Sequence, residues 1–241
     1  MTTTYRPAFY AVSTGKGGVR DWITVLHPPY TAWHLSYVAI GAALAKHFEA
    51  WRLAGTLVAF FLAVGVAAHA LDELHGRPLR TGISSRALIA AAAFGTVVPV
   101  AAGCWYGGLR LLPFIVVGAA LVVAYNLELA GGRLHNGVVF AAGWGAFPVL
   151  TGCYAQGFRL AAPAFIAAGA AFLISVAQRE LSTRVRDLRR RAAGVEGRIV
   201  FDDGRVVPLD RDALLTHDEA ALRALALGMV CLAAALVAWR L

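Results

Sequence analysis

An all-α bundle of about seven membrane-spanning helices is the fold class this sequence predicts, and composition, repeated apolar runs and a one-sided spread of basic residues predict it. Of 241 residues, 59% are hydrophobic and only 15% charged, a balance unsuited to a soluble surface. A hydrocarbon core about 30 Å thick needs roughly 20 mainly apolar residues per helix. Such runs stand at about 30–47, 51–73, 86–105, 109–127, 136–156, 160–182 and 219–239. If the N-terminus is cytoplasmic, seventeen of the 22 Lys and Arg fall in cytoplasmic segments, which predicts a plasma (cytoplasmic) membrane protein with N-terminus inside and C-terminus outside. The net charge of +8 therefore reads as topology and as attraction to anionic lipid or a phosphorylated substrate, with no nucleic-acid partner.

Taken in order, residues 1–29 form a polar cytoplasmic and interfacial segment. It is too long and too basic ahead of the first apolar run to be a cleaved signal peptide. Its stretch Val19 to Leu26 is amphipathic, with Trp22 at interface height. His27-Pro28-Pro29 stops that helix and sets the angle of the next. Residues 30–190 form a six-helix transmembrane core, rich in the Ala and Gly that let membrane helices approach closely. Residues 191–218 make a cytoplasmic loop in which Asp202-Asp203-Gly204, between two short β-prone runs, predicts a β-hairpin capping the inner mouth of the bundle between the sixth and seventh spans. The last span lies within 219–241. Cys104 and Cys153 fall near outer helix ends, where they read first as small packing residues.

Charges within membrane segments are costly and point to function. The densest set closes the second span, where the spacing predicts His69, Asp72 and Glu73 on one helical face, with His75, Arg77 and Arg80 just beyond. That face can bind a divalent cation, and the arginines can hold a phosphate. His34 lies seven residues after His27, on one face if the helix runs through the prolines. Asn126, Glu128 and His135 follow the inner end of the fourth span, and Gln178 and Glu180 lie near the inner end of the sixth. Carboxylates and histidines from several helices thus converge at one depth.

At these residues the chain resembles the UbiA superfamily of intramembrane prenyltransferases, whose members join a prenyl diphosphate to an acceptor. Asp72 falls on the middle aspartate of the family's first aspartate-rich motif, and Arg77-Pro78-Leu79-Arg80-Thr81-Gly82 looks like the basic stretch that follows it. Tyr125-Asn126 through Arg133, then Gly143 to Pro148, is similar to the family's fourth and fifth helices; the likeness spans roughly residues 20–190. The family's other motif positions carry Ala68, His69 and Gly76, and its second motif is replaced by Gln178 to Arg184.

The resemblance implies a transferase acting on an isoprenoid or other lipid at a cytoplasm-facing cavity. Asp72, Glu73, His69 and Glu180 would be catalytic; Arg77, Arg80, Arg133, His34, Tyr125, Asn126 and Gln178 would bind substrate; Mg²⁺ would serve diphosphate chemistry. A second reading follows from the histidines, since imidazole suits transition metals better than Mg²⁺. His69, Asp72, Glu73, His75, Glu128 and His135, with His34 and Glu180 nearby, would then hold Fe, Zn or Mn for redox or hydrolytic chemistry on a lipid. A third reading is a lipid-binding or scaffold protein that lost catalysis.

Overall fold

The computed structural model describes residues 7–241; Arg6, counted above with the basic segments, lies outside them. Among the described residues, eight helices and one hairpin make up the fold. They are α1 (Val19–Val25), α2 (Pro28–Ala43), α3 (Ala50–Leu74), α4 (Ser85–Arg110), α5 (Leu112–Asn126), α6 (Gly137–Ala155), α7 (Ala162–Arg190) and α8 (Arg211–Arg240), with β1 (Arg198–Val200) and β2 (Val206–Pro208) between α7 and α8. Five of them, α3, α4, α6, α7 and α8, are long and apolar enough to cross a membrane. The chain is thus an integral membrane helix bundle. Helices α2 and α5 have 16 and 15 residues, so at 1.5 Å per residue they reach only about 24 Å and 22 Å, short of a hydrocarbon core.

Helix α2 is the buried axis, with Trp33, Tyr37 and Val38 fully enclosed by α6, α7 and α8. Backbones meet where α2 crosses α6. A Cβ on Gly41 would stand 1.9 Å from the Val149 carbonyl oxygen, and one on Gly152 would stand 2.2 Å from that of Val38. Only glycine permits this approach, which replaces side-chain interdigitation with direct backbone contact. Tyr37 ties the axis to its neighbours: its hydroxyl accepts from Trp33 Nε1 at 2.7 Å and from Ser175 Oγ of α7 at 3.2 Å.

Two spans contain a wide π-helical turn, Phe61–Ala68 in α3 and Ala141–Ala146 in α6. Such turns change the face that later residues present, and here they lie just before the polar end of α3 and at the centre of α6. The chain between α1 and α2 does not run helically through the prolines. His27, ahead of Pro28, cannot continue the right-handed helix without a clash and takes φ 46°, left-handed. The predicted continuous face carrying His27 and His34 is therefore absent.

The hairpin forms antiparallel, with Arg198 opposite Pro208 and Val200 opposite Val206. It is no cap, because neither strand contains a buried residue and Val200 and Val206 are 60% and 54% exposed. The junction beneath it is held by ion pairs from α7 to α8, Arg184 to Asp218 at 3.3 Å and Arg189 to Glu219 at 2.5 Å. Cys104, Cys153 and Cys231 are all free.

The α2–α6 crossing gives a direct test. Gly41→Leu should lower the thermal midpoint of the detergent-purified protein and broaden its size-exclusion peak, since overpacking costs about 1–3 kcal/mol or more. An unchanged peak and midpoint would contradict the backbone contact.

Candidate functional site

Nearly all the non-helical backbone that surrounds the polar residues collects at one end of the bundle, here termed the basic end. Two buried carboxylates organise it. Asp21 of α1 is fully enclosed and accepts from the backbone amides of Thr14 and Gly17 at 2.8 Å, of Gly15 at 3.2 Å, of Gly82 at 2.8 Å and from Ser13 Oγ at 2.8 Å. Glu73, also fully enclosed, accepts from Leu79 and Thr81 amides at 2.9 Å and from Thr81 Oγ1 at 2.8 Å. Together they bind residues 13–17 and 79–82 into one layer over the end of α3. Gly82 is obligatory there, since a Cβ would stand 2.2 Å from the Gly15 carbonyl oxygen.

Beneath this layer side chains from the N-terminal segment, α2, α3, α5 and α7 gather into a polar and aromatic cluster, termed the chamber. His27 and His69 stack with ring centroids 4.2 Å apart, and Tyr10 packs against both His27 and Tyr30 at 5.3 Å and 5.6 Å. Each π turn supplies a carbonyl to a histidine: Gly65 to His69 Nδ1 at 3.2 Å, and Trp144 to buried His34 Nδ1 at 2.9 Å. A carbonyl only accepts, so Nδ1 carries the proton in both rings and Nε2 is the remaining nitrogen. Asp72 lies in the electrostatic field of Arg186 and Arg190 of α7. Arg190 donates to the Pro7 carbonyl at 3.0 Å, Arg186 to Thr183 Oγ1 at 2.9 Å, and Arg179 to the Tyr125 hydroxyl at 2.6 Å.

An aromatic layer forms the chamber floor. Tyr125 stands 4.5 Å from Trp144 and 4.4 Å from His135, and the Arg179 guanidinium lies 5.2 Å from the centre of the Phe140 ring. On the other side of that layer is an apolar cavity of about 310 Å³ between α3, α4, α5 and α6. Gly55, Ala59, Ala63, Gly103, Gly118 and Gly143 open it, and Phe60, Phe114 and Phe147 wall it. Trp144 belongs to both spaces: its residue lines the cavity while its carbonyl bonds His34.

The expected site residues divide accordingly. His69, Asp72, His34 and Tyr125 meet in or at the floor of the chamber. Gln178 is buried on α7 with its Oε1 lacking a hydrogen-bond partner, and Asn126 is buried with its amide on the Val122 carbonyl at 2.7 Å. Glu73 follows His69 and Asp72 on the same α-helical turn, but its carboxylate is taken up by the loop amides of Leu79 and Thr81. Arg77 holds its own loop, donating to the Ile83 carbonyl at 2.6 Å and Ser85 Oγ at 2.7 Å. Arg80, Arg133 and Glu180 are exposed. His75 and His135 flank Glu128 at the rim, each 3.8 Å from its carboxylate. Sequence reasoning missed Tyr10 and Tyr30, left His27 out of the site, and read the arginines of α7 as topology anchors.

These positions bear on metals. Two Mg²⁺ ions bridging a diphosphate want several carboxylate oxygens, and the chamber offers Asp72, with Glu73 committed and Glu180 turned outward. Among the described residues, no group of three or more His, Cys, Asp or Glu side chains is arranged to hold a metal ion. The six expected ligands are split between chamber, loop layer and rim. This donor set does not fit the Mg²⁺ centre the resemblance implies.

Comparison with protein-family models, curated proteins and solved structures finds no match to this chain.

The loop layer yields a pH prediction. Burial raises the Asp21 pKa, but hydrogen bonds from Gly82, Gly17, Thr14 and Ser13 outweigh it and lower it from 3.8 to about 2. A depressed carboxylate contributes stability that is present above its unfolded pKa and lost as pH falls toward the folded value. The wild type should therefore lose about 2 kcal/mol of stability from this group between pH about 4 and 2. Asp21→Asn should be less stable already at neutral pH and change less across that window. Superimposable wild-type and variant melting profiles from neutral pH to pH 2 would refute this role.

Proposed function

We propose that this chain is a divergent UbiA-type membrane enzyme that takes one isoprenoid lipid into the bundle, its tail in the apolar cavity and its polar end in the chamber. The observation that carries the reading is the shared residue Trp144: it lines the apolar pocket and packs against Tyr125 of the polar, aromatic-lined cluster. A pocket of this size lies at the lower end of the range of about 300–1,000 Å³ for small-molecule sites, so a single chain suits it better than a two-chain phospholipid. In this reading α2 and α5 complete a seven-helix arrangement, and the basic end faces the cytoplasm by the positive-inside rule.

The reaction class implied by the resemblance is prenyl transfer or related chemistry. The bond between the prenyl C1 and its leaving oxygen breaks, and the electron pair departs with that oxygen toward the guanidinium groups of α7. The faces of Tyr125, Phe140 and Trp144 stabilise positive charge on the prenyl carbon. The acceptor bonds to C1 and gives its proton to Asp72, the carboxylate of the chamber. The layer of residues 13–17 and 79–82 keeps water from the reacting carbon.

Lipids retained by the purified protein test this. Mass spectrometry should find isoprenoid lipids enriched over the bulk membrane, and Gly118→Phe, which fills the cavity, should reduce that enrichment by about tenfold while the protein stays monodisperse. Retention of bulk phospholipid alone, or unchanged enrichment in the filled variant, would contradict the proposal.

A further inference from the structure

Arg179, Arg186 and Arg190 stand seven and four residues apart along α7, which places them on one helical face. All three are partly buried. Among the described residues, no carboxylate lies within ion-pair distance of any of them. Arg179 reaches a phenol hydroxyl, Arg186 a threonine hydroxyl and Arg190 a main-chain carbonyl. The other acids of this end are engaged. Asp21 and Glu73 hold backbone amides, Asp218 and Glu219 pair with Arg184 and Arg189, and Asp187 pairs with Arg191 at 3.0 Å. Glu128 stands between His75 and His135 at the rim, and Asp72 is the carboxylate in the field of Arg186 and Arg190.

Buried charge is costly unless it is balanced. Three guanidinium groups against one carboxylate leave about two positive charges, matching the charge of about −1.5 to −2 on a phosphate monoester. Planar guanidinium forks also suit phosphate oxygens. A second, independent feature points the same way: His27 Nε2 is buried in the same chamber with no hydrogen-bond partner. It lies in the field of Arg186 and Arg190, so it can donate to an anion held there. Arg179 sits at the aromatic floor, where a lipid head leaving the cavity arrives first.

We propose that Arg179, Arg186 and Arg190, with His27, form a metal-independent seat for a phosphate monoester on the isoprenoid lipid. This rests on the lipid reading above and replaces metal bridging with direct arginine contacts, consistent with a chamber whose donor set does not fit Mg²⁺. Asp72 faces the seat and limits its charge.

Farnesyl phosphate and farnesol are suitable probes, titrated against the full chain in nanodiscs with EDTA present. Farnesyl phosphate should bind about tenfold more tightly or better, because charge-assisted contacts are being added. Added Mg²⁺ should not improve it. Arg186→Gln and Arg190→Gln should each remove most of that preference while leaving farnesol affinity unchanged, which also reports that the variants are folded. Arg186→Lys should retain part of it. Equal binding of the two probes, or phosphate preference that appears only with Mg²⁺, would overturn the seat while leaving the lipid reading intact. Binding of neither probe would overturn both. Competition by inorganic phosphate without preference for farnesyl phosphate over farnesol would place an anion site apart from the lipid, which also contradicts the proposal.

Discussion

In a membrane bundle no water satisfies stray backbone groups, so every departure from helix must be paired from within the protein. The basic end departs repeatedly, in the N-terminal segment, at the His27 break, in the two π turns and in the turn after α3. Each departure has its partner. Asp21 takes up amides of residues 14, 15, 17 and 82, Glu73 those of residues 79 and 81, and the π-turn carbonyls of Gly65 and Trp144 meet histidine nitrogens. These acids and histidines allow a polar chamber to exist at helix depth. They also explain why the chamber contains so few free carboxylates, since the acids nearest to it serve as structural acceptors.

The same arrangement sets the character of the site. With Glu73 committed and Glu180 on the far face of α7, the balance of charge in the chamber turns positive, carried by arginines whose neighbours are hydroxyls and a carbonyl. An aromatic layer lies between this positive cluster and the apolar cavity. An amphiphile with a small anionic head and one chain satisfies both halves, whereas a soluble anion leaves the cavity without a tenant and a neutral hydrocarbon leaves the charge uncompensated.

Much of this was legible in the residues. Apolar runs located the helices, Asp202-Asp203-Gly204 located the hairpin turn, and placement near inner helix ends singled out His34, His69 and Asp72, whereas Tyr125 entered through the family resemblance alone. The errors have physical causes. Counting Glu73 among the metal ligands ignored the loop just beyond the helix, whose amides take up its carboxylate. Helices α2 and α5 are apolar but short, and hydropathy alone does not separate a short packed helix from a full span. Arginines 179, 186 and 190 follow the positive-inside pattern, which does not tell which of them α7 leaves partly buried against hydroxyls and a carbonyl. Tyr10 and Tyr30 have no sequence pattern of their own; they enter the chamber because Asp21 folds the N-terminal segment back over it.

A lipid lying with its tail in the cavity and its head in the chamber is tested most directly by photocrosslinking. A farnesyl phosphate analogue with a photoreactive group at the tail end, mapped by mass spectrometry, should label the cavity wall far from the basic end, at residues such as Ala59 and Gly103. Labelling confined to outward-facing positions such as Leu227 and Leu232 of α8, 66% and 49% exposed, would show that the lipid stays outside the bundle and would contradict the account.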